Sequence, residues 1–494
     1  MTAASFYQNP LSRLSDPSLV PAAGFVAGVW RETAASGARF DVVNPSTGAV
    51  IASLPDMAAA ETAQAIDAAC DAQVDWAAQT GKERAAVLRR LFDLMLANAD
   101  DLATLITAEM GKPWAEARGE VLYGASYVEW FAEEAKRIYG ETIPGHQRDK
   151  RLLVIRQPVG VVGAITPWNF PNAMLARKLA PALAVGCAMV AKPAEQTPLS
   201  AIALAVLAER AGLPLGLFSV IPGTDGPAIG REMCSNPKLR KITFTGSTDV
   251  GRILLRQGAD QVKKMSMELG GNAPFIVFDD ADLDAAVAGA MIAKFRNNGQ
   301  TCVCANRFYV QAGVYDAFAA KLATAVAKLQ TGDGFAPGVT LGPLVDAAAL
   351  AMVQAHVADA VALGATVLTG GQPGTGLFYA PTLLSGATCA MRLAREETFG
   401  PVAALFRFDT VEQVIRLAND TEFGLAAYFY ANDLAKVWRV AEALEYGMVG
   451  INTGLISTEV APFGGIKQSG QGREGSRHGT EDYLETKYLC FGGI

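Results

Sequence analysis

The sequence predicts an α/β protein built from two doubly wound parallel sheets, with a small β element standing apart from both. Three observations carry this. From Val159 onward, short apolar runs alternate with helical patterns, as in a parallel sheet crossed by helices. The alternation restarts near Ala273 and continues to about Gly450. Finally, 494 residues are more than one hydrophobic core organises, so two or more domains are expected.

The elements follow in order. Ile66, Cys70 and Val74 recur at four-residue spacing and predict one helix face, and Val87, Leu88, Leu91 and Met95 predict a second. Leu102, Leu105 and Ile106 continue the stripe until Gly111, a plausible stop. Val161–Ile165 reads as a buried strand, followed by a helix from about Pro171 that Gly186 ends. Ala188–Ala191, Phe218–Ile221, Lys241–Phe244 and Lys264–Glu268 read as further strands, with a helix over roughly Leu199–Ala211. The second series opens with a strand at Ala273–Phe278 and helices near Leu283–Asn297 and Val314–Gln330. Arg151–Pro158 and Asp482–Phe491 are strand-like and belong to neither series. Residues 1–140 and 159–270 are therefore expected to form one unit, 271–470 a second, and 141–158 with 471–494 the separate β element.

Composition narrows the function. Hydrophobic residues are 51% and charged residues 18%, a globular balance, and the formal net charge is −7. No run of Lys or Arg interrupts it, so neither a nucleic acid nor an anionic membrane is expected as a partner. The longest apolar stretch, about Pro181–Ala191, falls short of the roughly 18 residues a membrane span needs. Seven cysteines without paired spacing, and a first twenty residues lacking an apolar core, predict a cytoplasmic protein.

Four segments carry candidate chemistry. Phe295-Arg-Asn-Asn-Gly-Gln-Thr-Cys-Val-Cys-Ala-Asn-Arg307 places Cys302 in a polar, glycine-containing loop between a helix and a strand, where nucleophiles often sit; a buried filler thiol is the bland alternative. In Met267-Glu-Leu-Gly-Gly-Asn-Ala-Pro274, Glu268 closes a strand at its carboxyl end, where α/β proteins place ligands. The paired Gly270 and Gly271 suggest close backbone approach. Ile165-Thr-Pro-Trp-Asn-Phe-Pro171 offers the Asn169 amide in a turn between two prolines. Phe244-Thr-Gly-Ser-Thr-Asp-Val-Gly251 lies between a strand and a helix, and its glycines would let a pyrophosphate approach the helix N-terminus.

In combination and order these segments resemble the aldehyde dehydrogenase superfamily, over nearly the whole chain from about residue 25. Lys192-Pro-Ala-Glu195, Glu397-Thr-Phe-Gly-Pro401 and Pro462-Phe-Gly-Gly-Ile-Lys-Gln-Ser-Gly470 agree. The resemblance implies an aldehyde dehydrogenase-like fold and a nicotinamide-dependent oxidation of an aldehyde to an acid. Cys302 matches the nucleophile that forms a thiohemiacetal and then a thioester. Asn169 matches the side-chain half of an oxyanion hole, and Glu268 the general base that activates the hydrolytic water. Thr166, Trp168, Gly246 and Ser247 match contacts to the cofactor, the last two at its pyrophosphate. Lys192 and Glu195 match the adenosine ribose contacts, and Glu397 and Phe399 the nicotinamide-ribose end. A carboxylate at Glu195 repels a 2′-phosphate, so NAD is expected over NADP, with NADP possible.

Gln300-Thr-Cys-Val-Cys-Ala-Asn306 and Gly470-Gln-Gly-Arg-Glu-Gly-Ser476 look most like the succinate-semialdehyde dehydrogenase branch. That implies two arginines for a distal carboxylate, matching Arg177 and Arg296, with a hydroxyl from Gly454-Leu-Ile-Ser-Thr458, assigned to Ser457. Taken alone, Arg177 would read as a helix-surface salt bridge. Glutarate semialdehyde, one methylene longer, and a broad aldehyde specificity are the alternatives; a non-catalytic binding protein on this fold is the alternative of another class. Cys304 is a candidate for a reversible redox switch with Cys302, against simple packing beneath the loop. No metal site is expected. The isolated strands resemble an oligomerisation element, which implies a homodimer or homotetramer.

Overall fold

The computed structural model describes residues 8–494 and opens with paired short strands followed by four helices, Ala59–Ala78, Gly81–Ala97, Ala99–Met110 and Trp114–Glu134. The second helix starts from a capping box: the Thr80 backbone N–H donates to Glu83, and the Glu83 N–H donates back to the Thr80 hydroxyl. Val87, Leu88, Leu91 and Met95 are all buried on its inner face. Gly111 ends the third helix at φ +88, a conformation in which a Cβ would strike Pro343. In the first helix, Ile66 is buried but Val74 is 65% exposed. Four-residue steps overshoot a 3.6-residue turn by roughly 40°, so the predicted stripe leaves the core by its third member. Ala65, Ile66, Ala69 and Trp76 are the buried face instead.

The first sheet has eight strands. Its centre is parallel, in the order Lys264–Glu268, Leu239–Thr245, Val161–Ile165, Ala188–Lys192, Phe218–Val220. Antiparallel strands cap both edges, Gly470–Gln471 beside Lys264–Glu268, and Gly24–Val26 with Val29–Arg31 beside Phe218–Val220. The second sheet runs Thr366–Thr369, Thr382–Ser385, Val402–Phe408, Ala305–Gln311, Ala273–Val277, Ala426–Tyr430, Met448–Ile451, parallel except for its first strand. Along its central strand Phe275 and Val277 enter one apolar cluster while Ile276 and Phe278 enter another. Both faces are covered, which is why this strand reads as an unbroken apolar run.

A third sheet of three antiparallel strands, Leu484–Gly492, Lys150–Pro158 and Glu141–Ile143, stands apart from these two. The segment 471–494, expected to belong wholly to this element, divides at Leu484. Gly470–Gln471 extends the first sheet, and Tyr483 packs in that unit's core, so only the last strand joins the outlying sheet. The predicted helix Leu283–Asn297 ends at Phe295, because Asn297 and Asn298 turn left-handed at φ +53 and +54. No described helix is long and apolar enough to cross a membrane.

Candidate active site

Four consecutive residues shape the loop that presents Cys302. Asn297 and Asn298 adopt left-handed conformations that asparagine tolerates better than most residues. Gly299 follows at φ +71, where a Cβ would lie 2.1 Å from the Gly400 carbonyl oxygen. Each amide is then tied down: Asn297 Nδ2 donates to the Asn169 and Gln300 carbonyls, Asn298 Nδ2 to Gly342, and Gln300 Nε2 to Pro343. Tyr428 secures the far side, its hydroxyl donating 2.8 Å to the Val303 carbonyl. These donated hydrogen bonds rigidify the loop that carries Cys302, although the Asn297 and Asn298 side-chain oxygens find no partner among the described residues.

Two cavities meet at Cys302. One, of about 290 Å³, is lined by Arg177, Arg296, Ser457, Phe170 and Phe463 as well as by Cys302. The other, of about 260 Å³, is lined by Trp168, Asn169, Gly246, Ser247, Glu268 and Glu397 together with Cys302 and Phe399. A thiol at the junction can meet a molecule entering from either side. Burial pushes the Cys302 thiol up to about 12, with Arg177 opposing the shift, so the free enzyme holds it protonated and its use requires a base.

Glu268 ends its strand at this junction, buried, with Oε2 lacking a hydrogen-bond partner among the described residues. Burial, then the negative charge of Glu474, raises its carboxyl well above the ordinary range. An unpartnered carboxyl with a raised pKa beside a thiol is suited to taking a proton from water or sulfur. Asn169 is also buried, and its Nδ2 donates to the Gln300 carbonyl at 3.0 Å, leaving a second N–H on the same nitrogen. The close approach expected of the glycine pair is present: a Cβ on Gly271 would lie 2.8 Å from the Cys302 carbonyl oxygen, and one on Gly270 2.7 Å from Glu397 Oε2.

The second cavity has features of a dinucleotide site. Ser247 caps the helix Thr248–Ala259, its hydroxyl accepting the Val250 N–H, so the helix N-terminus opens on the cavity wall. Trp168 and Phe399 pack edge to face at 5.5 Å. Glu397 Oε1 accepts the Gly271 N–H at 3.1 Å, and burial raises its carboxyl to about 8. Thr166 directly follows the strand Val161–Ile165, and its N–H donates to the carbonyl of Lys192, which ends the adjacent strand. Lys192 Nζ donates to Glu195 at 2.8 Å, with the Glu195 side chain partly exposed.

Arg177 departs from the surface salt bridge that its helical position alone suggests. It is fully buried, paired through Nε with Glu474, and lies 4.1 Å over the Phe463 ring. Its Nη2 has no partner among the described residues, and the residue lines the first cavity. Glu474 simultaneously binds Lys178, so one buried carboxylate holds two cations. Arg296 differs, since it joins no ion pair among the described residues and sits 5.7 Å over Phe170. Cys304 is buried and directs its thiol to the Lys294 carbonyl. Both it and Cys302 are free thiols here, and no described cluster of His, Cys, Asp or Glu could hold a metal.

Sequence reading missed Glu474, Lys178, Lys112 and Asn297. Lys112 forms a buried 2.6 Å ion pair with Glu120 and donates to the Asn169 carbonyl. Glu120 in turn accepts the Asn172 and Ala173 N–H groups at the start of the helix carrying Arg177. The only local signals were charged residues inside otherwise apolar windows, such as Arg177-Lys178.

Comparison with known proteins places the chain. The family model described as "Aldehyde dehydrogenase family" matches residues 30–489. The chain belongs to the aldehyde dehydrogenase family. It is 63% identical over 484 residues to glutarate-semialdehyde dehydrogenase of Pseudomonas aeruginosa, covering 98% of this chain and 100% of the relative. It is 61% identical over 482 residues to succinate-semialdehyde dehydrogenase [NADP(+)] of Escherichia coli, covering 97% and 100%. The crystal structure of succinate-semialdehyde dehydrogenase from Burkholderia pseudomallei superposes with a TM-score of 0.96 at 60% identity, covering 98% of this chain and 100% of that one. This aldehyde dehydrogenase is thus an NAD(P)-dependent oxidoreductase of small aldehydes.

Proposed function

We propose that the enzyme oxidises succinate semialdehyde to succinate, takes glutarate semialdehyde by the same contacts, and prefers NAD to NADP. The observation that carries the substrate reading is the convergence of Arg177, Arg296 and Ser457 on the cavity that Cys302 opens into. Two guanidiniums on a cavity also lined by Glu116 and the Lys112–Glu120 ion pair suit a distal carboxylate, which they hold while the aldehyde end reaches the thiol. Arg177 offers Nη2, and Arg296 its whole guanidinium. The relatives named above act on semialdehydes of both lengths, and one methylene discriminates by only about 1–3 kcal/mol.

In the reaction, Cys302 loses its proton to a base and its sulfur attacks the aldehyde carbon. Glu268, which lines the cofactor-side cavity together with Cys302, is the carboxylate assigned to that proton. The oxyanion that forms is met by Asn169 Nδ2 and the Cys302 N–H; losing one such donor costs about a hundred- to a thousandfold in rate. A bound nicotinamide supplies the hydride acceptor. Loss of the hydride leaves a thioester on Cys302; Glu268, having passed the thiol's proton to solvent, takes a proton from the water that attacks the thioester carbonyl, and the sulfur leaves as the acid is released.

Residues fitting the cofactor are Ser247 and Gly246 at the helix N-terminus, Thr166 and Trp168 in the adjoining turn, Glu397 and Phe399 toward the nicotinamide ribose, and Lys192 with Glu195 toward the adenosine ribose. Glu195 supports NAD: it can accept ribose hydroxyls and repels a 2′-phosphate. The first unit, with 470–483 joining it, is assigned to cofactor binding and 271–469 to catalysis. Among the described residues nothing pairs with the outer edge of Leu484–Gly492, and Tyr488 and Phe491 are exposed, which supports a homodimer or homotetramer through this sheet.

Initial rates with NAD and NADP across succinate semialdehyde, glutarate semialdehyde, propanal and an uncharged aromatic aldehyde test the reading. A kcat/KM for succinate semialdehyde at least about tenfold above propanal, or about 1.4 kcal/mol, is expected. Propanal or the aromatic aldehyde winning would remove the arginine clamp and leave the Cys302 chemistry standing.

A further inference from the structure

Glu397 and Phe399 sit on a short irregular segment that precedes the strand Val402–Phe408, and neither strand nor helix geometry fixes it. The segment instead lies against the helix Ala347–Ala362. His356 of that helix is completely buried and bridges two of its residues. Nδ1 lies 2.9 Å from the Thr398 hydroxyl and Nε2 lies 3.0 Å from Glu396 Oε2. Arg392 holds the same carboxylate through two further contacts of 2.7 and 3.0 Å.

The hydrogen-bond chemistry assigns the ring's protonation. Paired with Arg392, Glu396 has its carboxyl lowered to about 2, so it can only accept, and Nε2 must carry a proton. Burial disfavours the charged ring, so the neutral Nε2–H tautomer leaves Nδ1 to accept from the Thr398 hydroxyl. The ring therefore spans the segment as a rigid strut, with Glu397 between its two anchor points. Lys294 Nζ supports the opposite side through the Thr398 carbonyl at 3.3 Å. Close packing adds to this, since a Cβ on Gly400 would lie 2.5 Å from Val353 of the same helix. Met352, adjacent to Val353, lines the cofactor-side cavity.

We infer that His356 is a positioning residue for the nicotinamide half of the cofactor, acting through Glu396 and Thr398 to fix Glu397 and Phe399. It touches neither cavity itself. The inference rests on the assignment of Glu397 and Phe399 to the nicotinamide-ribose end. It separates from the substrate machinery, because the arginines and Ser457 lie on other elements.

The test uses the full-length enzyme and four variants: His356→Leu, His356→Gln, Thr398→Val and Glu397→Gln. NADH binding is measured by fluorescence without aldehyde, alongside KM for NAD and for the aldehyde turned over best. Losing one or two hydrogen bonds predicts about three- to tenfold weaker NADH binding and a matching rise in KM for NAD in His356→Leu, with aldehyde KM within about twofold. His356→Gln, whose amide can still donate to Glu396, should recover most of the loss. Thr398→Val removes one anchor without changing shape, so it decides the matter if His356→Leu does not fold; a loss of NADH affinity supports the inference. Unchanged NADH binding in His356→Leu, or in Thr398→Val, overturns it while Glu397→Gln still weakens binding. Equal losses in NADH affinity and aldehyde KM overturn it as well, showing a general loosening. If Glu397→Gln binds NADH normally, the cofactor assignment and the inference fall together.

Discussion

Replacing Arg296 by leucine isolates the substrate clamp from the rest of the catalytic machinery. Arg296 lines the cavity proposed for the substrate and joins no ion pair among the described residues; the buried Glu116, whose charge it helps to offset, keeps Lys112 when Arg296 becomes leucine. Its loss removes hydrogen bonds to a charged ligand, worth about 1.5–3 kcal/mol, which corresponds to roughly a 10- to 150-fold fall in kcat/KM. That fall should be confined to substrates carrying a distal carboxylate. Propanal, which has none, should change by less than about threefold, because Cys302, Asn169 and Glu268 are untouched. The assay is NADH formation at saturating cofactor for succinate semialdehyde and propanal, with thermal unfolding as a check on folding. A proportional loss on both substrates would refute the reasoning, since it would place Arg296 in the support of the nucleophile loop. An unchanged succinate semialdehyde rate would refute it more simply.

Arg177→Met should behave differently, because Arg177 is one of the two buried cations paired with Glu474. Breaking such a pair costs about 3–5 kcal/mol, so a fall in Tm of several degrees should accompany the loss on succinate semialdehyde; a Tm equal to wild type would contradict the buried pairing. Glu268→Gln removes the base assigned to both the Cys302 thiol and the hydrolytic water, so the NADH burst and the steady turnover should both collapse; steady turnover near the wild-type level would exclude Glu268 as that base. Since the Glu268 carboxyl titrates well above the ordinary range, its basic form is gained as pH rises, and steady-state rate should climb through neutral pH toward alkaline values. A wild-type rate flat from pH 6 to 9 would contradict this. Glu195→Ser should narrow the preference for NAD over NADP by removing charge repulsion of a 2′-phosphate; an unchanged ratio of the two kcat/KM values would move cofactor choice elsewhere.

Much of the site was legible in the sequence because its chemistry is carried by short contiguous motifs. The Gly270-Gly271 pair announced a close backbone approach, and the structure shows it against the Cys302 carbonyl and Glu397. The carboxyl-end rule for α/β sheets located Glu268, and the turns after Val161–Ile165 and Leu239–Thr245 located Asn169 and Ser247. The same rule could not have found Cys302 or Glu397, which sit in loops preceding Ala305–Gln311 and Val402–Phe408. In the helix Ala59–Ala78 a strict four-residue stripe misjudged the buried face, because spacing alone does not say how far a helix rotates away from its core.

The sequence by itself determined the alternating α/β pattern, the nucleophile's polar loop and, through motif order, the resemblance to a family. Those properties are local: they depend on periodicity, glycine placement and residues adjacent in the chain. Only the tertiary structure decided which charges share a partner. Glu474 reaches Arg177 across 297 positions of sequence, and Glu396 and Thr398 meet His356 across about 40. A buried charge must be neutralised by whatever the fold brings within a few ångströms, and that distance is set by packing between elements rather than by separation along the chain.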